Sequence, residues 1–179
     1  MISTELYNRA KRFVNIFAKN FSGKRANGKK ACYYINMEKL NFELVPDSCW
    51  YSNLRSILSP AQWDVVRRDA YARANGRCMI CGAPTARLEA HERWEYDEET
   101  HTQKLANVVA ICRRCHEVIH IGRTQLLGRE REAEEHFMKV NNCSYAEYRK
   151  ALGEANEAHR RRNLVPEWKL DLSYLKKFC

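Results

Sequence analysis

Cys78-Met79-Ile80-Cys81 opens the informative stretch of this chain. Leu88-Glu89-Ala90-His91-Glu92, Asn107 and Cys112-Arg113-Arg114-Cys115-His116 follow in turn, and His120 closes it. Each Cys-x-x-Cys turn can present two sulfurs to one ion at about 2.3 Å, so the two pairs together supply a tetrahedral zinc site. That assignment leaves His91, His116 and His120 over. His116 and His120 stand at i and i+4, on one face of a helix, and His91 sits in a strand-like segment that can face them. Structural ligands thus alternate along the chain with a second set suited to a catalytic ion.

Working outward, Leu88, Ala90, Glu92, Trp94 and Tyr96 alternate with Glu89, His91, Arg93 and Glu95, the period-two pattern of a strand. Asp97 to Thr100 is polar enough to turn the chain, and Val108 to Ile111 reads as a second strand. A short helix is expected from His116 to Ile121, ending at Gly122. Strand, strand, helix is too small a unit to bury a core alone, so the zinc is expected to staple it, contributing about 10 kcal/mol of folding free energy. Upstream, Ser59-Pro60-Ala61-Gln62 carries a cap, an N1 proline and a capping-box glutamine, predicting a helix to Ala74 closed by Asn75-Gly76. Downstream, Gly128 to Val140 and a capping box at Ser144-Tyr145-Ala146-Glu147 predict two more helices, the second reaching Arg162. Beyond Pro166, the apolar tail from Glu167 to Phe178 is expected to pack back as a strap. Loosely helical spacing covers 3–21, and Cys32 to Ile35 could form a strand. The expected architecture is α+β: a basic N-terminal segment over 1–58, a zinc-stapled unit with its lead-in helix over 59–127, and a helical extension over 128–179.

The 179 residues carry a formal charge of +9, which points to a polyanionic partner. Arg9, Lys11, Arg12, Lys19, Lys24, Arg25, Lys29 and Lys30 follow one another with no acidic residue between them. Arg67 and Arg68 on the lead-in helix and Arg113 and Arg114 in the second knuckle extend the candidate nucleic-acid-binding set. No apolar run approaches the roughly 18 residues of a membrane span, which excludes an integral membrane helix. The start, Met1 to Leu6, lacks the basic and apolar regions of a secretory signal, so a cytoplasmic location is expected. In that reducing compartment paired cysteines indicate metal rather than disulfide. Cys32, Cys49, Cys143 and Cys179 read as small apolar residues, and His101, His136 and His159 as surface histidines. Trp94-Glu95-Tyr96 reads as hairpin packing rather than a base-stacking platform.

From Cys78 to His120, about a quarter of the chain, the sequence resembles the HNH endonucleases, in the subgroup with a ββα-metal active site clamped by a four-cysteine zinc. The resemblance implies metal-dependent hydrolysis of DNA phosphodiesters, double-stranded DNA above all, by a small bacterial or phage type of nuclease. It places His91 on the strand ligand, Asn107 on the family's asparagine, and His116 and His120 on the helix ligands of a divalent ion such as Mg²⁺, Mn²⁺ or Zn²⁺. Cys78, Cys81, Cys112 and Cys115 fall on the structural zinc ligands. One position departs from the family: Glu92 stands where the general-base histidine belongs. A carboxylate of reference pKa about 4.3 is ionised at neutral pH and can accept a proton, though about two units less basic than histidine. A slipped register, with Glu92 as ligand and His91 as base, is the alternative, and adjacent strand residues point to opposite faces, so only one of the two can hold. The departure also motivates a second function class, a catalytically silent zinc module that binds nucleic acid or protein. A thiol redox protein fits poorly, because two Cys-x-x-Cys pairs and a histidine helix suit metal better.

Overall fold

The computed structural model describes residues 39–50 and 52–178. The N-terminal expectations, both the helix over 3–21 and the basic run from Arg9 to Lys30, lie outside the described residues, as do Cys32 and Cys179. The described chain is α+β. A single 3₁₀ turn over Asp47–Cys49 precedes α1 (Leu54–Ile57) and α2 (Pro60–Ala74). Next come the hairpin strands β1 (Glu89–Asp97) and β2 (Thr102–Ile111), followed by α3 (Arg113–Ile119), α4 (Ile121–Leu126), α5 (Glu130–Asn141) and α6 (Tyr145–Asn163). The tail forms β3 (Lys169–Asp171) and a 3₁₀ segment over Ser173–Phe178. No helix among the described residues is long and apolar enough to cross a membrane.

Local chemistry explains most boundaries. Ser59 accepts from the Gln62 amide, Gln62 returns the bond to Ser59, and Pro60 sits at N1, so α2 begins where its capping box dictates. It ends at Asn75 and Gly76, both left-handed at φ 47° and 74°. The capping box of Ser144 and Glu147 opens α6 in the same way. In the hairpin turn, Asp97 accepts from the amides of Glu99 and Thr100.

Two elements differ from the sequence expectation. β2 begins at Thr102, not near Val108, because Gln103 and Leu105 are buried although the run around them is polar. The histidine helix begins at Arg113 inside the second knuckle, with Cys112 as its N-cap. The chain does not stop at Gly122, where φ is not positive, and the left-handed Gly128 (φ 67°) follows α4 instead. His120 (φ −94°, ψ 47°) is the joint between α3 and α4.

The sheet has strand order β1-β2-β3, with β1 antiparallel to β2 and β3 parallel to β2. Both faces of it are covered. Val109 and Ile111 of β2 join Leu40, Phe42, Val118, Ile119, Phe137 and Tyr148 in one core, under α3, α5 and α6. Phe42 stacks on Phe137 with ring centroids 4.8 Å apart. Val108 and Ala110 point the other way, into a core with Leu54, Val66, Ala70, Leu172 and Leu175. The tail is the expected strap: Trp168, Leu172 and Leu175 are buried in it. Trp94 packs on the second core, and Tyr96 lies edge-on to Trp168 at 5.2 Å, so both are packing residues.

Candidate functional site

The face on which each β1 residue falls follows from its register. His91 pairs with Val109 and therefore faces α3, whereas Glu92 pairs with Val108 and faces α1 and α2. His116 and His120, one helical turn apart, meet His91 from across that gap. The three rings converge edge to face, with centroids 5.2, 5.0 and 4.7 Å apart. One ligand nitrogen from each lies within 4.8 Å of the others, a set that can hold a metal ion.

Carboxylates orient two of the rings. Glu89, two residues before His91 on the same strand face, takes the His116 Nδ1 hydrogen bond. Glu43 lies 3.2 Å from His91 Nε2 and also pairs with Arg93 at 2.8 Å. A carboxylate on one ring nitrogen fixes the tautomer and leaves the other nitrogen's lone pair for an ion. Burial lowers the proton affinity of His116 and outweighs the Glu89 bond, so the contact is a hydrogen bond from a neutral ring, not an ion pair. Burial first, and then the repulsion that a protonated neighbour in the trio would add, push His120 down to about 3. The ring is thus neutral at pH 7, the state in which imidazole ligates metal.

The four cysteines also come together. Cys78, Cys81, Cys112 and Cys115 have sulfurs within 4.8 Å of one another and can hold a metal such as zinc. A tetrahedron of sulfurs 2.3 Å from an ion places them roughly 3.8 Å apart, and Cys81 Sγ lies 3.8 Å from Cys112 Sγ. The first knuckle is pinned by Cys78 N to Ala83 O (2.9 Å), Gly82 N to Cys78 O (2.9 Å) and Met79 N to the Ala110 carbonyl of β2 (3.0 Å). Gly82 has φ 70°, so the turn needs a residue free of a Cβ penalty. Thiol hydrogen bonds from Cys112 and Cys115 hold Cys78 well below the usual thiol range, and the same cluster raises Cys115. A bound cation would let all four sulfurs ionise.

Glu92 does not join the histidines. Its carboxylate is half-buried on the opposite face of β1 and accepts the Leu54 amide at 3.0 Å, at the start of α1. Burial raises its proton affinity. Asn107 likewise faces away: its Oδ1 accepts from the Tyr174 hydroxyl (2.8 Å) and from Arg73 (3.4 Å), tying the C-terminal strap to the sheet. His136 departs from the surface role expected of it, since its Nε2 lies 3.2 Å from Cys115 Sγ. His159 sits against the Val45 carbonyl at 3.2 Å, and His101 occupies the left-handed corner of the hairpin. Cys49 is buried, and Cys143 is half-buried against the first core. Glu43 and Glu89 were not singled out from sequence. The period-two phase that puts Glu89 on the face of His91 could have found it, but Glu43 lies in an unpatterned segment with no such signal.

His116 and His120, but not the buried His91, line a cleft of about 900 Å³ that Cys81, Cys112 and His136 also line. Of the arginines named as candidate nucleic-acid contacts, Arg113 and Arg114 line the cleft, whereas Arg67 and Arg68 do not, and both pair with Asp64 on α2. No protein-family model, no curated protein and no solved structure matches the chain.

Proposed function

We propose that the chain is a metal-dependent endonuclease of the HNH type, in which β1, β2 and α3 form the catalytic unit and the four cysteines hold structural zinc. The observation carrying this reading is the convergence of His91, His116 and His120, the last two of which line a cleft that also carries basic side chains. The donor set fits the role: three imidazole nitrogens, two of the rings backed by carboxylates, leave positions free for water and phosphate. When bound, a divalent ion there supplies Lewis acidity toward the phosphate and the departing 3′-oxygen. The chain's own groups do the rest. His91, His116 and His120 hold the site, and Glu43 and Glu89 keep the rings aimed. Glu89, which lines the cleft, is the carboxylate placed to take a proton from the attacking water. Zn²⁺ at the cysteines, with Mg²⁺, Mn²⁺ or Zn²⁺ at the histidines, is the proposed complement.

The test is incubation of purified protein with supercoiled plasmid in Mg²⁺, Mn²⁺, Ni²⁺ or Zn²⁺. Nicked or linear product that disappears with chelator is expected. Binding without cleavage of DNA or RNA under every metal would favour the silent zinc module, a reading supported by the position of Glu92 away from the trio. A companion result concerns Glu92 itself. Its oxygen serves the Leu54 amide, and glutamine retains an accepting oxygen, so Glu92→Gln should cleave within a few-fold of the wild-type rate. A general base would cost on the order of 10²–10⁴ when so replaced, so a loss of that size in steady-state rates would return Glu92 to the chemistry.

A further inference from the structure

Six arginine and lysine side chains line the cleft, and they fall into two classes. Arg113 and Arg129 both pair with Glu117, at 2.9 and 2.8 Å. Among the described residues, Arg87, Arg114, Arg123 and Lys139 have no carboxylate partner. Most arginines elsewhere on this surface do: Arg67 and Arg68 on Asp64, Arg131 on Glu135, Arg160 on Glu157, Arg161 and Arg162 on Glu98. The two carboxylates of the cleft are already engaged, Glu117 by those arginines and Glu89 by His116.

The four unpaired cations are not a run of sequence. Arg87 lies two residues before β1, Arg114 is in the first turn of α3, Arg123 is on α4, and Lys139 is near the end of α5. Four elements therefore bring uncompensated positive charge to one concave surface, where self-repulsion is unfavourable unless a polyanion relieves it. Arg123 follows His120 by three residues and its charge is felt by the His116 and His120 rings, whereas Lys139 follows His136 by three and its charge is felt by that ring.

We infer that Arg87, Arg114, Arg123 and Lys139 form a phosphate track that seats a nucleic-acid backbone along this cleft, with Arg123 contacting the phosphate held at the histidine trio. The inference rests on the nuclease reading for its substrate, and it adds Arg87, Arg123 and Lys139 to the knuckle cation Arg114. Guanidinium groups suit it, since they meet phosphate oxygens in a two-pronged geometry.

The experiment measures binding of a fluorescein-labelled duplex to the full chain by anisotropy, over a salt series without added divalent ion. Each phosphate neutralised contributes about −0.9 to the slope of log K against log salt. Arg87→Ala, Arg114→Ala, Arg123→Ala and Lys139→Ala should each flatten the slope by about one unit, and the quadruple variant by about 3–4 units. Arg160→Ala, which removes a paired cation from α6, should leave it unchanged. In the cleavage assay Arg123→Ala should lose on the order of 10² in kcat/KM. All five are surface changes, and unchanged zinc content and melting temperature would verify that the fold is kept. A quadruple variant with the wild-type slope, or a wild type that binds no duplex, overturns the track. Flattened slopes without cleavage by any wild-type sample would sustain the track and remove the nuclease reading. Cleavage with unchanged slopes would do the reverse.

Discussion

Replacing Cys112 with serine should strip the zinc and lower the melting temperature by about 10–20 °C. Structural zinc contributes about 10 kcal/mol or more to the folding of a small unit, and losing even half of that costs roughly 2–4 °C per kcal/mol in a chain of this size. Serine is an informative choice because Cys112 is the N-cap of α3 and makes no side-chain cap bond there. A serine hydroxyl can cap the helix, so the substitution removes a metal ligand without removing the helix start. The lost stability then reports the ion. Cys78 and Cys115 are fully buried and share a core with Val118, Ile119 and Phe137, so an unfilled cysteine cluster would also leave thiols among apolar side chains. Elemental analysis and a thermal melt check the prediction, and full zinc with an unchanged melt would contradict it.

The second large effect concerns His120. Its ring is one of the three that converge, and His120→Ala leaves two. Changes to the groups that merely orient a ligand typically cost 10–100-fold, so deleting a ligand should lower cleavage by more than about 100-fold. The zinc at the cysteines should stay, because that cluster draws no ligand from α4 or from the joint at His120. The expected pair of observations is therefore one zinc per chain and no cleavage above background. Cleavage at the wild-type rate would move the chemistry elsewhere.

The capping boxes at Ser59 and Ser144, the Cys-x-x-Cys turns and the His116/His120 spacing are local, and each could be read directly from neighbouring residues. The period-two run of β1 was equally plain, but its phase was not. Apolar cores cover both faces of the sheet, through Val109 on one side and Val108 on the other, so inside and outside lose their contrast. Nothing in the pattern said that His91 would face α3 and Glu92 the amide of Leu54. β2 was half hidden because Gln103, a polar residue, is buried beneath Tyr96. Glu43 reaches His91 across 48 positions, and His136 reaches Cys115 across 21, through tertiary packing alone. The unpaired arginines of the cleft were legible as positive charge, yet only the ion pairs around them show which charges remain free.

The central claim is that the histidine trio holds the ion on which cleavage depends. The direct measurement starts from protein carrying one zinc per chain and titrates Mn²⁺ while metal content and plasmid cleavage are followed in the same samples. The account predicts a second bound ion and a cleavage rate that rises in proportion to its occupancy, with neither seen in His116→Ala. A second ion absent from the wild type, or a rate indifferent to it, would contradict the account.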